Sequence, residues 1–109
     1  MGKFKSAITG QLDIFVANEE DEWEGEIEKW QDVIIHGDPE GLKSLARLLT
    51  RIADLNQEEI ADLPIGAREH VHLRPKLELS KSSVEVIIGR LDAKGTGAYY
   101  DSYVPKDGQ

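Results

Sequence analysis

One stretch fixes more of the fold than any other. Asp38 is a good helix N-cap, Pro39 brings a helix-compatible φ to the first turn, and Glu40 suits the positive end of the helix dipole. Behind them Leu42, Leu45, Ala46, Leu48, Leu49, Ile52, Ala53 and Leu55 recur at three- and four-residue steps. Lys43, Ser44, Arg47, Thr50, Arg51 and Asp54 fill the outer face. That spacing predicts an amphipathic helix of about 17 residues with one apolar stripe to bury. A single such helix cannot cover itself, so the segments on either side must supply the surface it packs on.

Those segments carry β patterns. Leu12, Ile14 and Val16 alternate with Asp13 and Phe15, and the β-branched run Val33-Ile34-Ile35 points to a second strand over about Trp30 to Ile35. After the helix, Gln57 to Leu63 suggests one more helical turn before the punctuation at Pro64-Ile65-Gly66. Glu69 to Arg74 and Ser83 to Leu91 then read as an antiparallel hairpin with a long connection. Within the last of these, Val86-Ile87-Ile88 suggests burial on both faces, as in a central strand. The expectation is an α+β fold, an antiparallel sheet of about four or five strands with one main helix packed on one face. The 109 residues suit one domain, 1–109, with a loosely held tail from about residue 97.

Charge is distributed unevenly. Glu19, Glu20, Asp21, Glu22, Glu24, Glu26 and Glu28 put seven acids into ten residues, with Trp23 and Gly25 among them and no base before Lys29. The chain has 21 acids, 13 Lys and Arg, and a net charge of −8, so without those seven it would hold 14 acids against 13 bases. Trp23, Ile27, Trp30 and Ile34 stand at helical spacing, whereas Glu24, Glu26 and Glu28 alternate as a strand face would. Gly25 weakens the helix. The reading is an acidic loop or ragged hairpin over 19–28.

Several functions are disfavoured. A net negative chain whose basic residues form no stripe beyond Lys43, Arg47 and Arg51 offers no footprint for nucleic acid. No apolar run could span a bilayer, no signal-peptide core is visible, and there is no cysteine, which together point to a cytoplasmic protein without disulfides or thiol chemistry. Lys94-Gly95-Thr96-Gly97 has the wrong order for a phosphate loop and lacks the third glycine of a dinucleotide fingerprint. No nucleophile and base are grouped, so no catalytic residue and no cofactor is assigned. His70 and His72 share one face of a strand, but two imidazoles are half a metal site and would need His36 or Asp38 to join them. A solvated or hydrogen-bonded histidine pair is the plainer reading.

The order Ile35-His36-Gly37-Asp38-Pro39-Glu40-Gly41-Leu42, Leu45-Ala46-Arg47-Leu48-Leu49, His70-Val71-His72-Leu73, Leu79 and Ser83-Val84-Glu85-Val86-Ile87-Ile88 resembles a family of small bacterial immunity proteins from polymorphic toxin systems, the family numbered thirty-two among them. The likeness spans roughly residues 32–92 and leaves out both the acidic run and the late tyrosines. It implies a non-catalytic binder whose partner is a cognate protein toxin. Charge placement, separately, suggests that Glu19, Glu20, Asp21, Glu22, Trp23, Glu24, Glu26 and Glu28 form the partner-binding surface, with His70 and His72 beside it, against a basic toxin such as a nuclease. Two alternatives compete: a metal-binding protein or metal-dependent enzyme built on His70 and His72, and a homo-oligomeric module pairing through its sheet.

Overall fold

The helix is where its sequence places it. The computed structural model describes residues 7–108, and the main helix, α1, runs Pro39–Asp54. The Asp38 carboxylate accepts from the Gly41 backbone N–H at 2.7 Å, closing the first turn, and also from the Gln11 N–H at 3.0 Å, which ties the preceding chain to the helix start. At the other end the Arg90 guanidinium donates to the carbonyls of Ile52 and Leu55 at 3.1 and 2.7 Å, placing positive charge on the negative pole of the helix. Asp92 holds that guanidinium from its far side through two bonds of 2.8 and 2.7 Å.

Before the helix the chain forms one long antiparallel hairpin, β1 (Leu12–Trp23) and β2 (Glu26–Gly37). Leu12 faces Gly37 at its root and Trp23 faces Glu26 at its tip. The two-residue link Glu24-Gly25 has both φ angles positive, at 53° and 83°, the requirement of the tight turn whose twist matches that of paired strands. After the helix come a 3-10 turn, Gln57–Glu59, and a short antiparallel pair, β3 (His70–Leu73) and β4 (Val86–Gly89).

The fold is therefore α+β with one main helix, but among the described residues its strands form two sheets of two rather than one sheet of four or five. A single core joins the two sheets: Leu12, Ile14, Leu45, Leu48, Ile52, Val71, Leu73 and Leu79 are buried together, drawn from β1, α1, β3 and the β3–β4 connection, with Val86 and Ile88 of β4 packed against them. The backbone ladder nevertheless stops between the sheets. The connection from β3 to β4 crosses the gap, with Ser80 N–H donating to the Leu12 carbonyl at 3.0 Å and Val84 N–H to the Ile14 carbonyl at 2.8 Å. Ser83 completes the join, its hydroxyl accepting from the Ile14 N–H at 3.1 Å and lying 2.8 Å from the Ile14 carbonyl.

Ser83→Ala leaves a buried N–H of β1 without a partner, and is expected to cost about 1–3 kcal/mol, more than the net value of an average hydrogen bond. Urea unfolding checks this. A loss of a few tenths of a kcal/mol would mean that the two sheets are held by apolar contact alone.

Two further details differ from the sequence reading. Ile87 is 61% exposed, so β4 is an edge strand and not a central one. Ser44, assigned by periodicity to the outer face of α1, is buried and bonds to both the N–H and the carbonyl of Thr9, at 3.2 and 2.9 Å. Residues 19–28, read as an acidic loop or ragged hairpin, form the hairpin, with regular strands and a tight turn. Gly41 shows how closely the helix meets β1, since a Cβ there would lie 1.9 Å from the Gln11 carbonyl oxygen.

Candidate functional site

The hairpin leaves the core behind. Leu12 and Ile14 are buried, but from Asn18 round the turn to Val33 every residue except Glu19 is exposed. The radius of gyration is 17.2 Å, against about 13 Å for a compact chain of this length. Such a projection exposes both faces of its sheet.

Strand parity sorts the acids. Side chains of directly paired residues lie on the same face, and successive residues alternate. One face carries Val16 with Val33, Asn18 with Gln31, Glu20 with Lys29, and Glu22 with Ile27. The opposite face carries Glu19 with Trp30, Asp21 with Glu28, and Trp23 with Glu26. Four carboxylates and both tryptophans therefore share the second face, with Glu24 in the turn. Trp23 is 76% exposed and Trp30 43%. Trp30 escapes a reading based on the charge run because it lies outside that run. Its even spacing from Glu26 and Glu28 is the signal that places it on the same face.

Little within the hairpin neutralises these charges. Lys29 approaches Glu20 at 4.0 Å in a largely exposed pair, a contact of small energetic value. The Gln31 amide donates to the Asn18 side chain at 3.0 Å. Asp21 stands directly opposite Glu28, and like charges so placed weaken strand pairing.

The histidines lie elsewhere. His70 and His72 are on β3, in the other sheet, with ring centroids 5.2 Å apart. Nδ1 of His70 is 3.2 Å from the Arg68 carbonyl, and Nδ1 of His72 is 3.1 Å from a Glu85 carboxylate oxygen, to which Arg74 also comes within 3.8 Å. Among the described residues, no hydrogen bond, ion pair or ring contact joins either histidine to residues 19–28. His36 packs edge-on against Phe15, with ring centroids 5.9 Å apart. No three His, Asp or Glu side chains converge as a metal site among the described residues.

Carboxylates with lowered pKa values sit at the root of the fold, away from the tip. The hydroxyls of Ser80 and then Ser82 stabilise ionised Asp13, and the N–H groups of Gln11 and Gly41 do so for Asp38. Thr9 and then Arg47 act on Glu40, and Arg90 on Asp92. Each of these anions fastens a junction between elements.

A depression of about 440 Å³ opens between β3, β4 and the tail, lined by Arg68, His70, Ile87, Arg90 and Tyr100 among others. Its cations are already engaged. Arg68 donates to the Ala98 carbonyl at 2.6 Å and lies 4.2 Å from the Tyr100 ring centroid, while Arg90 caps the helix. Among the described residues no helix is long and apolar enough to cross a membrane.

Comparison with known families gives a match to the model described as immunity protein 32, over residues 32–91. It begins within β2, takes in α1, β3 and β4, and omits β1 and the acidic tip. No curated protein and no solved structure matches. Covering more than half of the chain, the family match identifies the helix and the paired β3 and β4 as a family scaffold, and the chain belongs to the immunity protein 32 family.

Proposed function

We propose that the chain acts without catalysis, neutralising a cognate protein toxin by binding it through the outer half of the β1–β2 hairpin. The carrying observation is the placement of seven acids, with Trp23 exposed among them, on a projecting hairpin that no other element covers among the described residues. A toxin that acts on nucleic acid needs cationic side chains around its phosphate-binding site. Carboxylates spaced along two strands match such a surface and steer its approach. Trp23 and Trp30 supply apolar area that charge alone lacks, in the arrangement of aromatic anchors with a polar rim. The opposed Asp21 and Glu28 fit this role too, because a bound cation relieves a repulsion that the free hairpin tolerates. His70 and His72 were grouped with this surface on sequence grounds; lying in the other sheet, they form a separate secondary contact region in this reading.

A toxin encoded beside this chain, inactivated so that it can be expressed, provides the test. It is expected to co-purify with the protein and to bind at least about tenfold more weakly at 500 mM than at 50 mM salt, since screening shortens the reach of charges on exposed surfaces. Binding indifferent to salt would remove the acidic surface as the recognition element.

A further inference from the structure

The outer edge of β1 is only partly used. Leu12 and Ile14 direct their backbone groups away from β2, and the segment Ser80–Val84 fills those positions. Antiparallel pairing alternates the direction of backbone groups residue by residue, so Val16, Asn18, Glu20 and Glu22 also point outward. The N–H of Glu22 is taken up by the Asp21 carboxylate at 2.9 Å. Among the described residues, Val16, Asn18 and Glu20 make no backbone hydrogen bond outside the hairpin. All three are exposed. The chain thus adds its own segment to the root of this edge and leaves the outer part open.

We infer that the open edge of β1, from Val16 to Glu22, receives an extended basic segment of the partner protein as an added strand. This rests on the proposed role of the acidic hairpin and specifies how that hairpin binds. Main-chain bonds to a free edge supply affinity, and flanking side chains supply choice. Here the choice is set by Glu19, Glu20, Asp21 and Glu22, four consecutive acids that alternate between the two faces. A strand laid beside them meets carboxylate on both faces, so its matching sequence is a run of consecutive Lys and Arg rather than an alternating one. A second copy of this chain is the wrong occupant, because antiparallel pairing of two β1 edges sets acids opposite acids. The outer edge of β2 is less selective, since Lys29 interrupts its acids.

The probe is an acetylated eight-residue peptide with a Lys-Arg-Lys-Arg centre between Thr-Val pairs, used with two versions N-methylated on alternate sets of amides. All three carry the same charge. At low salt and saturating peptide, the parent is expected to slow hydrogen exchange at the amides of Asn18 and Glu20 by about tenfold or more, through new hydrogen bonds. One methylated version is expected to bind about tenfold more weakly, because its methyl groups face β1 and block at least two bonds. The other should bind like the parent. Asn18→Pro removes an outward donor without touching the β1–β2 ladder, and should lower parent affinity to the level of the blocked peptide with the melting temperature retained. Equal binding of all three peptides without protection at Asn18 and Glu20 would overturn the added strand while leaving an acidic contact surface in place. No binding by any peptide would overturn it as well, and the toxin co-purification then decides separately whether the acidic-surface reading survives.

Discussion

Leu48→Ala is expected to destabilise the protein by about 2–5 kcal/mol, the range for removing a fully buried leucine side chain from a close-packed core. Leu48 is 1% exposed and sits among Leu12, Ile14, Leu45, Ile52, Val71, Leu73 and Leu79. It thereby touches a core assembled from the helix, the root of the hairpin and the β3–β4 region together. That core is small, because half of the longest β element contributes nothing to it. Domains hold a margin of only about 5–15 kcal/mol, so this one truncation removes a large share of it. Leu49, the next residue in the helix, is 45% exposed. Leu49→Ala should cost under about 1 kcal/mol, since much of the side chain is already in water. Urea unfolding of both variants measures the contrast. Equal losses would mean that α1 does not present the face described.

Reversing Glu24, Glu26 and Glu28 to lysine is expected to weaken toxin binding by about 100-fold at low salt, chiefly through slower association. Net charge moves from −8 to −2. The three acids lie at the tip and far strand of the hairpin, exposed and outside the core. Fold stability should hold or rise slightly, because Glu28→Lys turns its facing of Asp21 from repulsion into attraction. Loss of binding with unchanged melting separates recognition from folding, which the leucine variants cannot do.

The helix was legible because its signals agree: Asp38 caps it, Pro39 opens it, and the apolar spacing runs to its end. The α+β class followed from that helix and the β-branched runs around it. The outer hairpin was obscured by composition, since Glu has low strand propensity and Glu24-Gly25 is not one of the usual turn pairs. Pairing with β2 overrides that propensity, in the register that the two-residue Glu24-Gly25 turn sets. Sheet number was hidden for another reason. A serine hydroxyl and two backbone bonds close the gap between β1 and the Ser80–Val84 segment, and no hydropathy pattern records such a join. Ser44 misled because a small polar residue on a helix signals solvent, yet here it lets the chain at Thr9 approach closely. As for the site, the charge run marked the segment, while the common face of Trp23 and Trp30 required the register.

We propose that charge placed on the hairpin, rather than charge in general, recognises the partner. Titration calorimetry of a toxin found to co-purify with the protein tests this against three forms: the native protein, the Glu24→Lys, Glu26→Lys, Glu28→Lys variant, and a charge-matched variant with Asp54→Lys, Glu59→Lys and Asp101→Lys. Both variants have the same net charge. The hairpin variant is expected to lose about 100-fold and the matched one less than about threefold, since charges beside the contact steer the partner from within a Debye length whereas charges on remote faces are screened. Equal losses, or full affinity in the hairpin variant, would contradict it.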